Sequence, residues 1–131
     1  MREIVLGGAQ MGPIQKAEPR EAVVERMVVL MEEAHIAGCN LVVYPELCLT
    51  TFFPRWYFKE QSEVDFWFEQ TMPNDVTMPL FFKSKELGIA ISFGYAEKTP
   101  NGSRFNTSMS CKIKYSALAK IARIHITSMN N

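Results

Sequence analysis

Between residues 4 and 44 the chain passes from an apolar strand pattern through an amphipathic helix to a second apolar strand. Ile4–Ala9 reads as a short buried strand, with Gly7-Gly8 letting other backbone come close. Gly12-Pro13 in the loop that follows stops it. From Pro19 to Ala37, the residues Val23, Met27, Leu30, Met31 and Ala34 recur at helical spacing, which predicts a helix burying one stripe. Pro19 suits a first helical position and Gly38 a C-terminal cap. Arg20, Glu21, Glu25, Arg26, Glu32 and Glu33 fall on the opposite, solvated face. Leu41–Tyr44 is the second strand, ended by Pro45. Two strands joined through a helix in about 40 residues make a βαβ unit, so the sheet is expected to be mostly parallel.

The remaining chain fits around that unit. Leu47–Tyr57 is irregular and dense in aromatics, broken by Pro54. Ser62 is predicted to cap a turn carrying Val64, Phe66, Trp67 and Phe68. Asp75 is predicted to cap a helix over Val76–Leu87, with Pro79 tolerated in its first turn and Gly88 ending it. Ile89–Tyr95 is a strand, and Pro100-Asn101-Gly102 should turn it back into antiparallel segments at Phe105–Lys112 and Leu118–Ile126. The order is that of an α/β layered sheet with an antiparallel edge.

Length alone, at 131 residues, leads to an expectation of one domain. A hydrophobic share of 47% excludes a disordered chain. Fourteen basic residues balance fourteen acidic ones, so neither nucleic acid nor an acidic membrane surface is expected as a partner. The longest apolar runs, such as Ile89–Ala96, are too short to span a bilayer, and Ile4–Ala9 is too short for a signal-peptide core. Three cysteines without a CxxC pair suggest reduced thiols, and a cytoplasmic location is expected.

Among chemically capable residues, Glu46 stands out. It directly follows a buried strand, at the carboxyl end where open α/β sheets place ligand crevices. The aromatics after it could shield it from water and raise its pKa toward that of a general base; otherwise it is a loop glutamate paired locally. The run Phe52, Phe53, Trp56, Tyr57, Phe58 is either loop packing or a substrate cage. Arg55 in its midst could bind a carboxylate or stack, with a salt bridge to a nearby acid as the default. His35 reads as half-buried and structural, and His125 lies in the last strand near Arg123; the two give no metal site. Cys39, Cys48 and Cys111 read as small buried hydrophobes. Gly7, Gly8 and Gly12 imitate a dinucleotide fingerprint, but Ala9 stands where its second glycine belongs. The sequons at Asn101 and Asn106 need a secretory route that the chain is not expected to take.

Val42-Val43-Tyr44-Pro45-Glu46-Leu47 resembles the first catalytic segment of the nitrilase superfamily, the carbon–nitrogen hydrolases. Leu49-Thr50-Thr51-Phe52-Phe53-Pro54-Arg55-Trp56 narrows the likeness, with Gly12-Pro13-Ile14 before it and Arg104-Phe105-Asn106-Thr107-Ser108 after it. Together these segments are similar to N-carbamoyl-D-amino acid hydrolases (D-carbamoylases) over residues 1 to about 110. The resemblance implies an α-β-β-α sandwich, of which this chain would be the N-terminal portion. It also implies a Glu–Lys–Cys triad that needs no cofactor or metal and acts on an N-carbamoyl amino acid or related amide. Glu46 would be the general base, and a full-length protein would form a family-like homo-oligomer.

Two departures accompany the likeness. The family's lysine stands in a strand reading roughly Lys-Tyr-x-Lys-x-His-Leu, matched here by Lys120-Ile121-Ala122-Arg123-Ile124-His125-Ile126, so Arg123 fills the lysine's position. A guanidinium keeps the charge but not the compact geometry of an ammonium, and an error near 1 Å at such a site can cost about 10²-fold. The family's nucleophilic cysteine lies further downstream than Asn131, and Cys39, Cys48 and Cys111 do not match it. The expectation is a C-terminally incomplete hydrolase domain over 1–131, inactive alone. The alternative is a non-catalytic remnant that pairs through its uncovered sheet with a full-length relative.

Overall fold

The computed structural model describes residues 3–111 and, by backbone alone, residues 118–125. Helix α1 (Arg20–Ile36) forms where its apolar spacing predicts, and buries Val23, Val24, Met27 and Met31. It joins β1 (Leu6–Gly8) to β2 (Leu41–Val43), which pair in parallel. β3 (Ala90–Lys98) adds in parallel to β2, and β4 (Arg104–Cys111) and β5 (Leu118–His125) follow antiparallel, giving the order β1-β2-β3-β4-β5. Between β2 and β3 lie the short α2 (Gln61–Asp65) and α3 (Met78–Leu87). This is a portion of the expected α/β sandwich.

Strand periodicity gives the sheet two unlike faces. One carries Val42, Ile91, Phe93, Tyr95 and Met109, all buried in one core with Val23, Met27 and Met31 of α1 and Leu80 of α3. Each such aliphatic side chain taken fully out of water stabilises the fold by roughly 1.5–3 kcal/mol. Tyr44 seals this layer, its hydroxyl donating to the Met27 carbonyl at 2.7 Å. The other face carries small and polar side chains, among them Ser92 and Ser110, whose hydroxyls bond at 3.0 Å. Leu6 and Val43 share it and stay 63% and 42% exposed. At its far end a second cluster of Leu47, Phe53, Phe58, Val64, Trp67 and Phe68 closes over Ala96.

Several boundaries differ from the sequence expectation, each for a local reason. The ladder of β1 starts at Leu6, leaving Ile4 and Val5 exposed. Helix α2 is capped by Glu60 and not Ser62, with the Glu63 carboxylate accepting the Glu60 N–H at 3.2 Å. Helix α3 starts at Met78, because Asn74 and not Asp75 organises the preceding turn. The Asn74 Oδ1 accepts the Thr77 N–H at 3.0 Å, and the Thr77 Oγ1 accepts the Asn74 N–H at 2.9 Å. Gly88 ends α3 in the left-handed conformation, φ 67°, as its sequence position suggests. Among the described residues no helix is long and apolar enough to cross a membrane.

Asp65 ties α2 to the β3–β4 hairpin. Arg104 grips its carboxylate through Nε at 2.6 Å and a terminal nitrogen at 2.8 Å, and the Lys98 Nζ lies at 2.6 Å. These donors, Arg104 foremost, hold the Asp65 carboxyl well below the usual carboxylate range. A depressed folded-state pKa stabilises above the unfolded value of about 3.9 and is lost as pH falls through the folded value. Asp65→Asn is therefore expected to remove part of the acid-dependent loss of stability. Denaturation midpoints followed between about pH 5 and 2 check this, and wild-type and variant curves of equal slope would refute it.

Candidate active site

Where β2 ends, the chain is held across the open face of β3. The Tyr44 N–H donates to the Ser92 carbonyl at 2.8 Å and the Cys48 N–H to the Gly94 carbonyl at 3.1 Å. Between these anchors Leu47 takes a left-handed φ of 49° while 5% exposed, a conformation costing a non-glycine residue on the order of 1–3 kcal/mol. Gly94 makes room for it. A β-carbon there would sit 3.1 Å from the Glu46 Cα and 3.2 Å from the Leu47 nitrogen. The path leaves Glu46 exposed at the strand's carboxyl end, where the Asn106 side-chain amide donates to its Oε1. Asn106 lies on β4, opposite Ala96 of β3.

Glu46 lines a cleft of about 240 Å³ between residues 10–15 and 45–55. The Arg55 guanidinium lines it too, stacked 4.7 Å from the Trp56 ring centroid. Among the described residues Arg55 makes no ion pair, so the salt bridge expected for it does not form, although Glu46 lines the same cleft. The aromatic run divides. Phe53 is fully buried between Trp67 and Phe68, and Phe58 is buried beside it, whereas Phe52, Trp56 and Tyr57 face solvent, Tyr57 at 83%. The expected shielding of Glu46 from water does not occur, because the core of the second cluster takes the rings that could provide it.

Residues 6–128 match the family model for carbon–nitrogen hydrolase. The chain belongs to the carbon–nitrogen hydrolase family. Its fold is like that of a carbon–nitrogen hydrolase from Helicobacter pylori G27, with a TM-score of 0.67 at 19% identity, covering 92% of this chain and 39% of that one. It is also like an N-terminal amidase holding a Gln-Gly peptide, TM-score 0.61 at 12% identity over 92% of this chain and 27% of that one. A glutamine-dependent NAD+ synthetase from Acinetobacter baumannii gives 0.59 at 18% identity, over 88% and 20%. At such identities the likeness is one of fold. The chain spans well under half the length of each of these proteins.

The cysteines of this carbon–nitrogen hydrolase chain behave unequally. Cys48 lines the cleft yet is buried, and burial pushes its thiol up to about 12. Burial thus disfavours the thiolate at neutral pH, so Cys48 is chemically quiet. Cys39 and Cys111 are half-buried, and burial raises the Cys111 thiol too. Iodoacetamide at about pH 8 is expected to spare Cys48 in the native chain and to label it after unfolding. Peptide mapping by mass spectrometry reads this, and equal labelling in both states would refute it.

His35 is exposed on α1 and not half-buried, since it lies off the apolar stripe. Arg123 stands opposite Thr107 in the β4–β5 ladder and His125 opposite Phe105; their side chains lie outside the described residues. The rung of Asn106 is shared with Ile124, so Arg123 holds the next register position, on the Thr107 face of the sheet and not on the face of Asn106, and the ladder does not bring it together with Glu46. Sequence reasoning placed Glu46 and missed its two supports, Asn106 and Gly94. Asn106 lay within the Arg104–Ser108 segment that carries the resemblance, and that was its signal. Gly94 gave none, since a glycine inside a strand does not say what crosses over it.

Proposed function

We propose that this chain supplies the general base for hydrolysis of N-carbamoyl amino acids to amino acid, carbon dioxide and ammonia. The reading rests on one observation above all: the Glu46 carboxylate is oriented by Asn106 and open to a cleft at the carboxyl end of a strand. The D-carbamoylase-like segments around Glu46, Arg55 and Asn106 supply the substrate class. In this scheme Glu46 takes the proton of a cysteine thiol provided from outside these 131 residues, because the burial of Cys48 disfavours its thiolate. The thiolate attacks the carbamoyl carbon, and positive charge near the tetrahedral oxyanion steadies it. Arg123 holds the lysine's place in the sequence, but its register position opposite Thr107 is on the other face of the sheet from Asn106. The C–N bond breaks and the proton held by Glu46 leaves with ammonia. Water then releases a carbamic acid, which loses carbon dioxide. The free thiols of Cys39, Cys48 and Cys111 suit a reducing, cytoplasmic setting.

The test is titration of N-carbamoyl amino acids into the purified chain while amide resonances of residues 10–15 and 45–55 are followed. Shifts confined to that cleft support the substrate class, and no shift at millimolar ligand overturns it. Ammonia release by the chain alone is expected at background. Release that vanished in Glu46→Gln would overturn the external nucleophile. Exposed Leu6 and Val43 favour a second reading, in which the open sheet face pairs with a full-length relative without catalysis. Light scattering of the mixture, with Val43→Lys as the breaking variant, separates the two.

A further inference from the structure

Two cations converge on one exposed ring beside the Glu46 cleft. The Arg55 guanidinium carbon lies 4.7 Å from the Trp56 centroid, and the Lys16 Nζ lies 5.4 Å from it and 5.6 Å from the Phe58 centroid. Among the described residues neither cation has an acidic partner, although Arg20, Arg26, Lys83, Lys98 and Arg104 each have one. Arg55 is also the only cation lining the cleft among the described residues. Its backbone is firmly held, because its neighbour Phe53 in the 3-10 turn Phe53–Arg55 is fully buried. A guanidinium stacked on an indole has fewer orientations to lose when it meets an anion, and its planar fork fits a carboxylate with two parallel hydrogen bonds.

We propose that Arg55, supported by Lys16, is the anchor for the substrate's carboxylate and restricts the cleft to small carboxylic acids bearing the scissile amide. The proposal rests on the reading of Glu46 as the base of an N-carbamoyl hydrolase and adds to it the residue that selects an acid over a neutral amide. A volume of about 240 Å³ is below that of drug-sized sites, in keeping with a compact substrate. Because Arg55 is exposed, the attraction is screened by salt and its contribution falls as ionic strength rises.

The probes are N-carbamoylglycine and its neutral carboxamide, titrated by calorimetry into the wild-type chain, Arg55→Gln, Arg55→Lys and Lys16→Gln. The acid is expected to bind wild type at least about tenfold more tightly than the carboxamide, the preference shrinking in 1 M salt. Arg55→Gln should bring the two affinities within about twofold, Arg55→Lys should keep part of the preference, and Lys16→Gln should lower it by about half. Unfolding midpoints of the variants, expected to stay near wild type at these exposed positions, separate lost binding from lost fold. Equal binding of acid and carboxamide to wild type, or a preference that survives Arg55→Gln, overturns the anchor and leaves the role of Glu46 standing. Binding of neither probe overturns the substrate class and the anchor with it.

Discussion

Gly94→Val is expected to abolish ligand binding in the Glu46 cleft while α1 and α3 stay folded on the opposite face. The first added carbon would lie 3.1 Å from the Glu46 Cα and 3.2 Å from the Leu47 nitrogen, both backbone atoms that cannot swing aside as a side chain would. Valine adds two methyl groups to that conflict. The cost of overpacking is about 1–3 kcal/mol or more, and the cheapest relief is to lift residues 46 and 47 off β3. Lifting them gives up the Cys48 N–H to Gly94 bond, the left-handed turn at Leu47 and the grip of Asn106 on Glu46 together. N-carbamoylglycine should then cause no shifts at residues 45–55, with helical circular dichroism retained. Wild-type affinity in Gly94→Val would refute the account of how Glu46 is held.

Met27→Ala should have the largest effect on stability. Met27 has no solvent access and sits midway along the buried stripe of α1 between Val23 and Met31, beneath the Tyr44 hydroxyl. Such truncations cost about 2–5 kcal/mol, against a total for a domain of about 5–15 kcal/mol. Half-exposed Val29 lies on the same helix, and Val29→Ala should stay within about 0.5 kcal/mol. Urea midpoints at constant m-value report the difference, and comparable losses in the two variants would contradict the assignment of the helix faces.

The elements most legible from sequence were those whose signal is local. The three- and four-residue spacing of α1, the left-handed position of Gly88 and the turn at Asn101-Gly102 each depend on neighbours a few residues away. The cap at Glu60 and the turn organised by Asn74 were misread because Ser62 and Asp75 are equally good or better capping types by sequence, and the outcome was decided by which carboxylate or amide reached a free N–H. Glu46 itself was legible from the strand before it. Its environment was not, because whether an aromatic points into the cleft or into the core depends on Val64, Trp67 and Phe68, which arrive from another part of the chain. Arg55 shows the same limit, since its lack of an ion pair among the described residues is a property of the folded surface.

Glu46 and the amide that holds it are sixty residues apart in sequence, and this separation has a kinetic consequence. Asn106 belongs to a hairpin, which can close within microseconds from residues already near each other. Glu46 reaches that hairpin only after β2 has found β3 across the long crossover containing α2 and α3, a non-local closure of the kind that slows folding. A full-length chain refolding from the unfolded state would thus form the hairpin that carries the orienting amide before Glu46 reaches it, and the cleft would mature last. A ligand that binds there favours only the finished topology, which makes cleft occupancy a report on the final step of folding.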